Sequence, residues 1–182
     1  MRIGILGSGL MGAKLGTIFA RAGHDVVFSY SHSVRKLKRL ARDAQGSAWA
    51  GTPGDAALHA DALLLAVHWT RVDAVLKQAG DLSGKVIVTC SLPMNANDTA
   101  LAVAHTSSGA ETLAKKVRKA HVVSAFSTVP SEVLLGVFRR KRRTRRRPSL
   151  LYCGEDQRRG AGDERAPRGA SISSGDGGIG CA

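Results

Sequence analysis

GILGSGLMGAKLG, residues 4–16, is the stretch on which the fold turns. Inside it, Gly7-Ser8-Gly9-Leu10-Met11-Gly12 spells G-x-G-x-x-G. The preceding Arg2-Ile3-Gly4-Ile5-Leu6 is a short, mostly apolar run ending at glycine, which predicts a buried parallel strand. Beyond it, Leu10, Met11, Leu15, Ile18 and Phe19 recur at helical spacing until Gly23 stops the run. Strand, glycine turn and helix, in that order, are the setting in which this motif cradles a dinucleotide pyrophosphate. Gly7 allows the tight turn, Gly9 lets backbone approach the phosphates, and Gly12 lets the helix pack on the strand. The opening turn of the helix adds free N–H groups and the positive end of its dipole.

Working outward, the same alternation continues. Strands are predicted over residues 25–30, 47–50, 62–67, 85–90, 121–126 and 149–153. Helices are predicted over residues 34–44, with Leu37, Leu40 and Ala41 inward, from Thr52-Pro53 onward, and over 71–79 and 109–119. Strands alternating with helices mean an α/β chain with a doubly wound, mostly parallel sheet of the NAD(P)-binding Rossmann kind. Residues 1–153 read as this dinucleotide-binding domain. From Gly154 to the end the large aliphatics are only Ile172 and Ile179, so residues 154–182 read as a disordered Gly/Arg-rich tail.

The end of the second strand bears on which dinucleotide. An NAD site usually places Asp or Glu there to hold the ribose 2′-hydroxyl. This chain has SYSHS at residues 29–33 and then Arg35-Lys36. Ser31, His32, Arg35 and Lys36 suit a 2′-phosphate, so NADP(H) is favoured over NAD. Arg35 and Lys36 also belong to the solvated face of an amphipathic helix, and both readings can hold.

Ligands in such sheets lie beyond the carboxyl ends of the strands. Val67 and His68 sit there after the fourth strand, residues 91–95 after the fifth, and residues 127–130 after the sixth. His68 could act as an acid or base, or line the pocket edge, and the pocket edge is preferred. His24 lies away from this rim and has no catalytic role. Catalytic acid–base pairs and metal clusters are not suggested. Cys90, Cys153 and Cys181 are odd in number and widely spaced, so neither a disulfide framework nor zinc is expected. No apolar run approaches the ~20 residues of a membrane span, and the N-terminus lacks a signal-peptide core, which predicts a cytoplasmic protein.

Net charge is +13, and residues 139–147 (RRKRRTRRR) hold eight of the basic side chains. That run could bind nucleic acid by counterion release. It lacks interleaved aromatics and any nucleic-acid-binding signature, so a solvated basic loop is the preferred reading.

Together MRIGILGSGLMG, GHDVVFSYS, LLLAVHW, GKVIVTCSLPMN, AHVVSAFSTVPSEVL and SLLYCGED resemble the NADPH-dependent reductases of the deazaflavin coenzyme F420 and their bacterial relatives. The resemblance spans about residues 1–156. Related NADP-binding domains occur in pyrroline-5-carboxylate reductases and membrane ferric reductases. The resemblance implies that Ser8, Gly9, Leu10 and Met11 hold the pyrophosphate. The family's Ser-Arg pair for the 2′-phosphate aligns with Tyr30 and Ser31, without the arginine, which leaves Ser31, His32, Arg35 and Lys36. It further implies that Val67, His68 and Arg71 lie near the cofactor and that Leu92 and Ala125 flank the nicotinamide. The implied chemistry is hydride transfer between NADP(H) and F420 or a related small-molecule acceptor, with no acid–base pair.

Family members continue with a small helical domain that helps bind the second substrate and pairs the subunits into homodimers. Here QRRGAGDERAPRGASISSGDGGIGCA, residues 157–182, follows instead. Its composition is what a shifted reading frame in GC-rich DNA produces, and the helical domain is expected to be missing. Two other classes therefore stay open: a non-catalytic NADP-binding module and a basic nucleic-acid-binding protein.

Overall fold

The structure, a computed structural model, describes residues 1–139, 150–154 and 171–175. Its strands are β1 (Arg2–Leu6), β2 (Asp25–Ser29), β3 (Ala48–Ala50), β4 (Ala62–Leu65), β5 (Val86–Thr89), β6 (His121–Ala125), β7 (Leu150–Gly154) and β8 (Ser171–Gly175). Its helices are α1 (Leu10–Arg21), α2 (Val34–Asp43), α3 (Pro53–Leu58), α4 (Val72–Ala79), α5 (Gly109–Lys116) and α6 (Ser131–Arg139). A 3-10 turn, Trp69–Arg71, precedes α4.

All strands join one sheet in the order β3-β2-β1-β4-β5-β6-β7-β8. Strands β1 to β6 pair in parallel, while β7 and β8 are antiparallel. The chain winds from β1 out to β3, then returns to lay β4 on the other side of β1. The loops after β1 and β4 therefore diverge and leave a crevice at the carboxyl edge, where doubly wound folds bind ligands.

Two apolar layers sandwich the sheet. On one face Leu15, Ile18 and Phe19 of α1, Leu37 and Ala41 of α2, and Leu134 of α6 pack with Ile3, Ile5, Val26, Phe28 and Leu64. On the other, Ala56 and Ala57 of α3, Val72 and Val75 of α4, and Leu113 of α5 pack with Leu6, Leu63, Leu65 and Ile87. Burial on both faces is why β1 and β4 read as apolar runs rather than alternating ones. Each fully buried Leu, Ile or Phe here contributes about 1.5–3 kcal/mol of transfer free energy.

Local chemistry sets the helix ends. Thr52 with Asp55 and Ser108 with Glu111 form capping boxes that open α3 and α5. Hydrogen bonds from the cap backbone and hydroxyls hold both carboxyls below the usual carboxylate range. Elements end slightly earlier than the sequence predicts. Tyr30, at φ +56, turns the chain out of β2, and α5 closes at Lys116 rather than at 119.

Helix α6 is a correction, because the sequence reading placed no element between residues 127 and 138. Ser131-Glu132 opens it after Pro130, and Leu134 carries it into the core against α1. Strand β8 is a second difference, since it lies inside the tail expected to be disordered, where it pairs with the edge of β7. Arg139 ends α6; residues 140–147 of the basic run lie outside the described residues, as do 155–170 and 176–182 of the tail.

Gly16 faces the ring of Phe28, where an added Cβ would stand 2.9 Å from Cζ. Gly16→Val should cost about 1–3 kcal/mol through overpacking. A urea titration checks this: the midpoint falls while the slope is unchanged.

Candidate functional site

The glycine loop leaves β1 in a conformation that few residues adopt. Gly7 sits at φ +112, and a Cβ there would strike the Ala66 carbonyl and the Val67 side chain. Past the strand, the Gly7 and Ser8 N–H groups still donate to the carbonyls of Ser29 and Tyr30, both at 3.3 Å. The Ser8 hydroxyl donates to the Ser29 carbonyl at 2.9 Å, and the Ser29 hydroxyl donates to the Ile5 carbonyl at 2.7 Å. Both serines are buried, so these bonds tie the loop to β2 and satisfy hydroxyls that would otherwise be costly. Ser29 is fully buried and braces the loop rather than facing the crevice.

Gly12 is required by packing, because a Cβ would sit on the Gly7 carbonyl. Gly9 differs: an added Cβ meets nothing within 4 Å. It is the N-cap of α1 and offers no side chain to the first N–H groups of the helix. The space over Gly9 is open, and the unpaired donors of the opening turn face a ligand or water. The Leu10 side chain beside it is exposed, whereas Ser8 and Gly12 are buried and can present only backbone.

At the end of β2, Ser31 accepts a hydrogen bond from the Ser33 N–H at 3.3 Å, and Ser33 caps α2 by accepting from the Lys36 N–H at 3.3 Å. His32, Arg35 and Lys36 are exposed. Neither Arg35 nor Lys36 forms an ion pair among the described residues. Helices α3, α4, α5 and α6 each carry an acid in their first turn: Asp55, Asp73, Glu111 and Glu132. Helices α1 and α2 carry none. The two acid-free N-termini are the two that open beyond β1 and β2, beside the crevice. An acid in the first turn is the usual complement of the helix dipole, so its absence leaves both ends to attract an anion.

On the other side of the crevice lie the loops after β4, β5 and β6. Val67 is half-buried, Arg71 is exposed in the 3-10 turn, and Leu92 is exposed. The Ser91 hydroxyl donates to the Val67 carbonyl at 2.7 Å and locks these two loops together. His68 is engaged at both ring nitrogens, by Thr70 Oγ1 at 2.8 Å and Asp98 Oδ1 at 3.0 Å. A ring so held suits a structural role better than proton transfer. Ala125, the last residue of β6, is buried in the core, so it can reach a ligand only from beneath. Sequence reasoning missed Asp98, which lies thirty positions from His68 in the chain. Its local signal was only the turn-forming run Asn95-Ala96-Asn97-Asp98.

The predicted site residues thus gather along one edge of the sheet, from the end of β2 to the end of β6. Two clefts, about 450 Å³ under α3 and about 470 Å³ between the ends of α4 and α5, lie away from that edge. Among the described residues no group of His, Cys, Asp and Glu could hold a metal ion, and no helix is long and apolar enough to cross a membrane.

Cys90, at the end of β5, is largely buried, and burial pushes its thiol up to about 11. It is therefore a poor nucleophile in the folded chain. Alkylation at pH 8, located by mass spectrometry, should modify Cys90 slowly in buffer and rapidly in urea. The thiol ionises near its ordinary value only after unfolding, so stability should also decline as pH rises from the unfolded value through 11.

Residues 2–93, half of the chain, match a family described as NADP oxidoreductase, coenzyme F420-dependent. Among solved structures, a candidate F420-dependent NADP reductase from Arthrobacter sp. FB24 superposes with a TM-score of 0.72 at 20% identity, covering 87% of this chain and 75% of that one. A hypothetical protein of Sinorhizobium meliloti gives 0.72 at 23% identity, with the same coverage. A reductive aminase from Aspergillus terreus, solved with NADPH, gives 0.56 at 20% identity over 72% of this chain and 42% of that one. These likenesses establish the Rossmann architecture. The matched family consists of enzymes, so neither a non-catalytic module nor a nucleic-acid binder gains support.

Proposed function

The chain belongs to the coenzyme F420-dependent NADP oxidoreductases, and from that premise we propose that it moves a hydride between NADP(H) and F420 or a closely related ring acceptor. It is an NADP-dependent oxidoreductase by family; the acceptor and the roles of individual residues are our reading. The observation that carries it is the pair of acid-free helix N-termini beside the crevice, one under the open space at Gly9, the other bearing Arg35 and Lys36.

In this reading the backbone of Ser8, Gly9, Leu10 and Met11 receives the pyrophosphate, with Gly7 and Gly12 shaping the loop. Ser31, His32, Arg35 and Lys36 receive the 2′-phosphate. A guanidinium and an ammonium in the first turn of α2 add charge-assisted bonds to the pull of the helix dipole. Val67, His68, Arg71 and Leu92 border the nicotinamide end, and Ala125 lies beneath it. Bound NADPH supplies a hydride to the acceptor, and solvent supplies the proton that completes the two-electron reduction. The protein's part is to hold both rings in register and keep water from between them, which needs no acid–base pair. Residues 1–153 form the unit that does this.

Purified protein titrated with NADPH and with NADH tests the cofactor reading. Saturation at a hundredfold excess over Kd should add about 2.7 kcal/mol of stability, seen as a rise in Tm. Arg35→Ala should weaken NADPH about tenfold and leave NADH within about twofold, the loss of one charge-assisted hydrogen bond. Equal responses to the two nucleotides would sink the NADP assignment. Bleaching of F420 absorbance in the presence of NADPH tests the acceptor.

A further inference from the structure

We infer that Asp98 is a positioning residue for the hydride acceptor, acting through His68; this rests on the hydride-transfer reading above. Residues 93–102 leave the end of β5 as a compact hairpin. Met94 pairs with Leu101 in an antiparallel bridge. The Asn95 N–H donates to the Ala100 carbonyl at 2.9 Å, and the Ala102 N–H to the Pro93 carbonyl at 2.7 Å. The Asn95 side chain brackets the tip, accepting from the Thr99 N–H and donating to the Thr99 hydroxyl, both at 2.9 Å. The hairpin is thus well braced within itself. Its outer part, residues 96–102, is exposed, so burial contributes little to holding it against the body.

Among the described residues, one side-chain hydrogen bond ties it to the body. His68 caps the 3-10 turn after β4, its Nδ1 accepting from the Thr70 N–H at 3.3 Å. A neutral ring whose Nδ1 accepts carries its proton on Nε2. Nε2–H then donates to Asp98 Oδ1 at 3.0 Å. The cap selects the tautomer, and the tautomer makes the ring a donor aimed at the carboxylate. Asp98 sits at φ +55, a left-handed conformation that aspartate tolerates better than most residues. That conformation is part of the turn closed by the Asp98 N–H on the Asn95 carbonyl.

What the link places is an apolar rim. Leu101, on the return strand of the hairpin, is 58% exposed, and Leu92, just before the hairpin at the nicotinamide border, is 53% exposed. The hairpin stands beyond β4 and β5, across the switch point from the acid-free ends of α1 and α2. With the phosphates on the β1–β2 side, this is the side left for the nicotinamide and the ring that meets it. Exposed leucines at the rim of a polar crevice fit a planar, largely apolar ring. The chemical class of ligand assigned to the hairpin is therefore the acceptor ring, not the dinucleotide.

Asp98→Gly removes the carboxylate and leaves φ unstrained; Asp98→Asn keeps an oxygen acceptor for Nε2–H. With F420 as acceptor, Asp98→Gly should raise its KM about tenfold while kcat and the Kd for NADPH stay within about twofold. Asp98→Asn should bring KM back to within about threefold of the parent. Hydrogen exchange at the amides of Asn95, Thr99 and Ala102 should quicken about tenfold in Asp98→Gly, independently of any acceptor. Unchanged exchange overturns the link itself. An unchanged KM, or a Kd for NADPH rising in step with it, overturns the assignment to the acceptor. A parent protein that binds NADPH and leaves F420 oxidised overturns the acceptor reading, and with it the role given to Asp98. A parent that binds neither NADPH nor NADH overturns the cofactor reading instead.

Discussion

Helix α1 can begin at the end of β1 only because its third residue has no side chain. A Cβ on Gly12 would occupy the place of the Gly7 carbonyl. Everything at the carboxyl edge depends on that approach. It aims the opening N–H groups of α1 into the crevice, and it lets Leu15, Ile18 and Phe19 reach the sheet in phase with Ile3, Ile5 and Phe28. The buried hydroxyls of Ser8 and Ser29 then stitch the loop to its neighbour strand. A loop tied at that many points is preorganised, so little ordering entropy is lost when a ligand settles on it.

Charge is distributed to match. Four of the helices neutralise their positive ends with their own acids, and two leave them bare. For a helix that only packs, a first-turn acid is a gain of a few tenths to about 1 kcal/mol. Forgoing it twice, at adjacent strand ends and nowhere else among the described α-helices, leaves two bare positive ends beside the crevice, which suits the two phosphate positions proposed above. The cations of α2 reinforce one end, and the empty volume above Gly9 gives access to the other.

Much of this was legible in the chain itself. The order of strands and helices through β6 follows from apolar runs punctuated by glycine, because a doubly covered parallel sheet imposes those runs. Other parts of the geometry were not legible. Tyr30 leaves its strand through a positive φ that no local propensity announces. The apolar spacing of α6 is too short to be told from a buried loop. The pairing of His68 with Asp98 joins two loops that only the sheet brings together. Nor does the sequence show that the Ser29 hydroxyl turns inward to the Ile5 carbonyl, a bond set by the parallel pairing of β1 and β2.

The division of labour across the switch point explains why the fold alone leaves the reaction open. In the proposed reading, the β1–β2 side offers backbone, two acid-free helix ends and the cations of α2. In the same reading, the β4–β6 side offers side chains carried by loops, where a hairpin, a cap and two leucines can change without disturbing the sheet. A reductive aminase from Aspergillus terreus solved with NADPH shares the architecture at 20% identity, a likeness of fold alone. Fold does not fix the reaction, and in the proposed reading the acceptor meets what stands beyond β4 and β5. In this chain that position is held by residues 93–102, braced by Asn95 and tied to the sheet through a histidine whose tautomer its own cap selects.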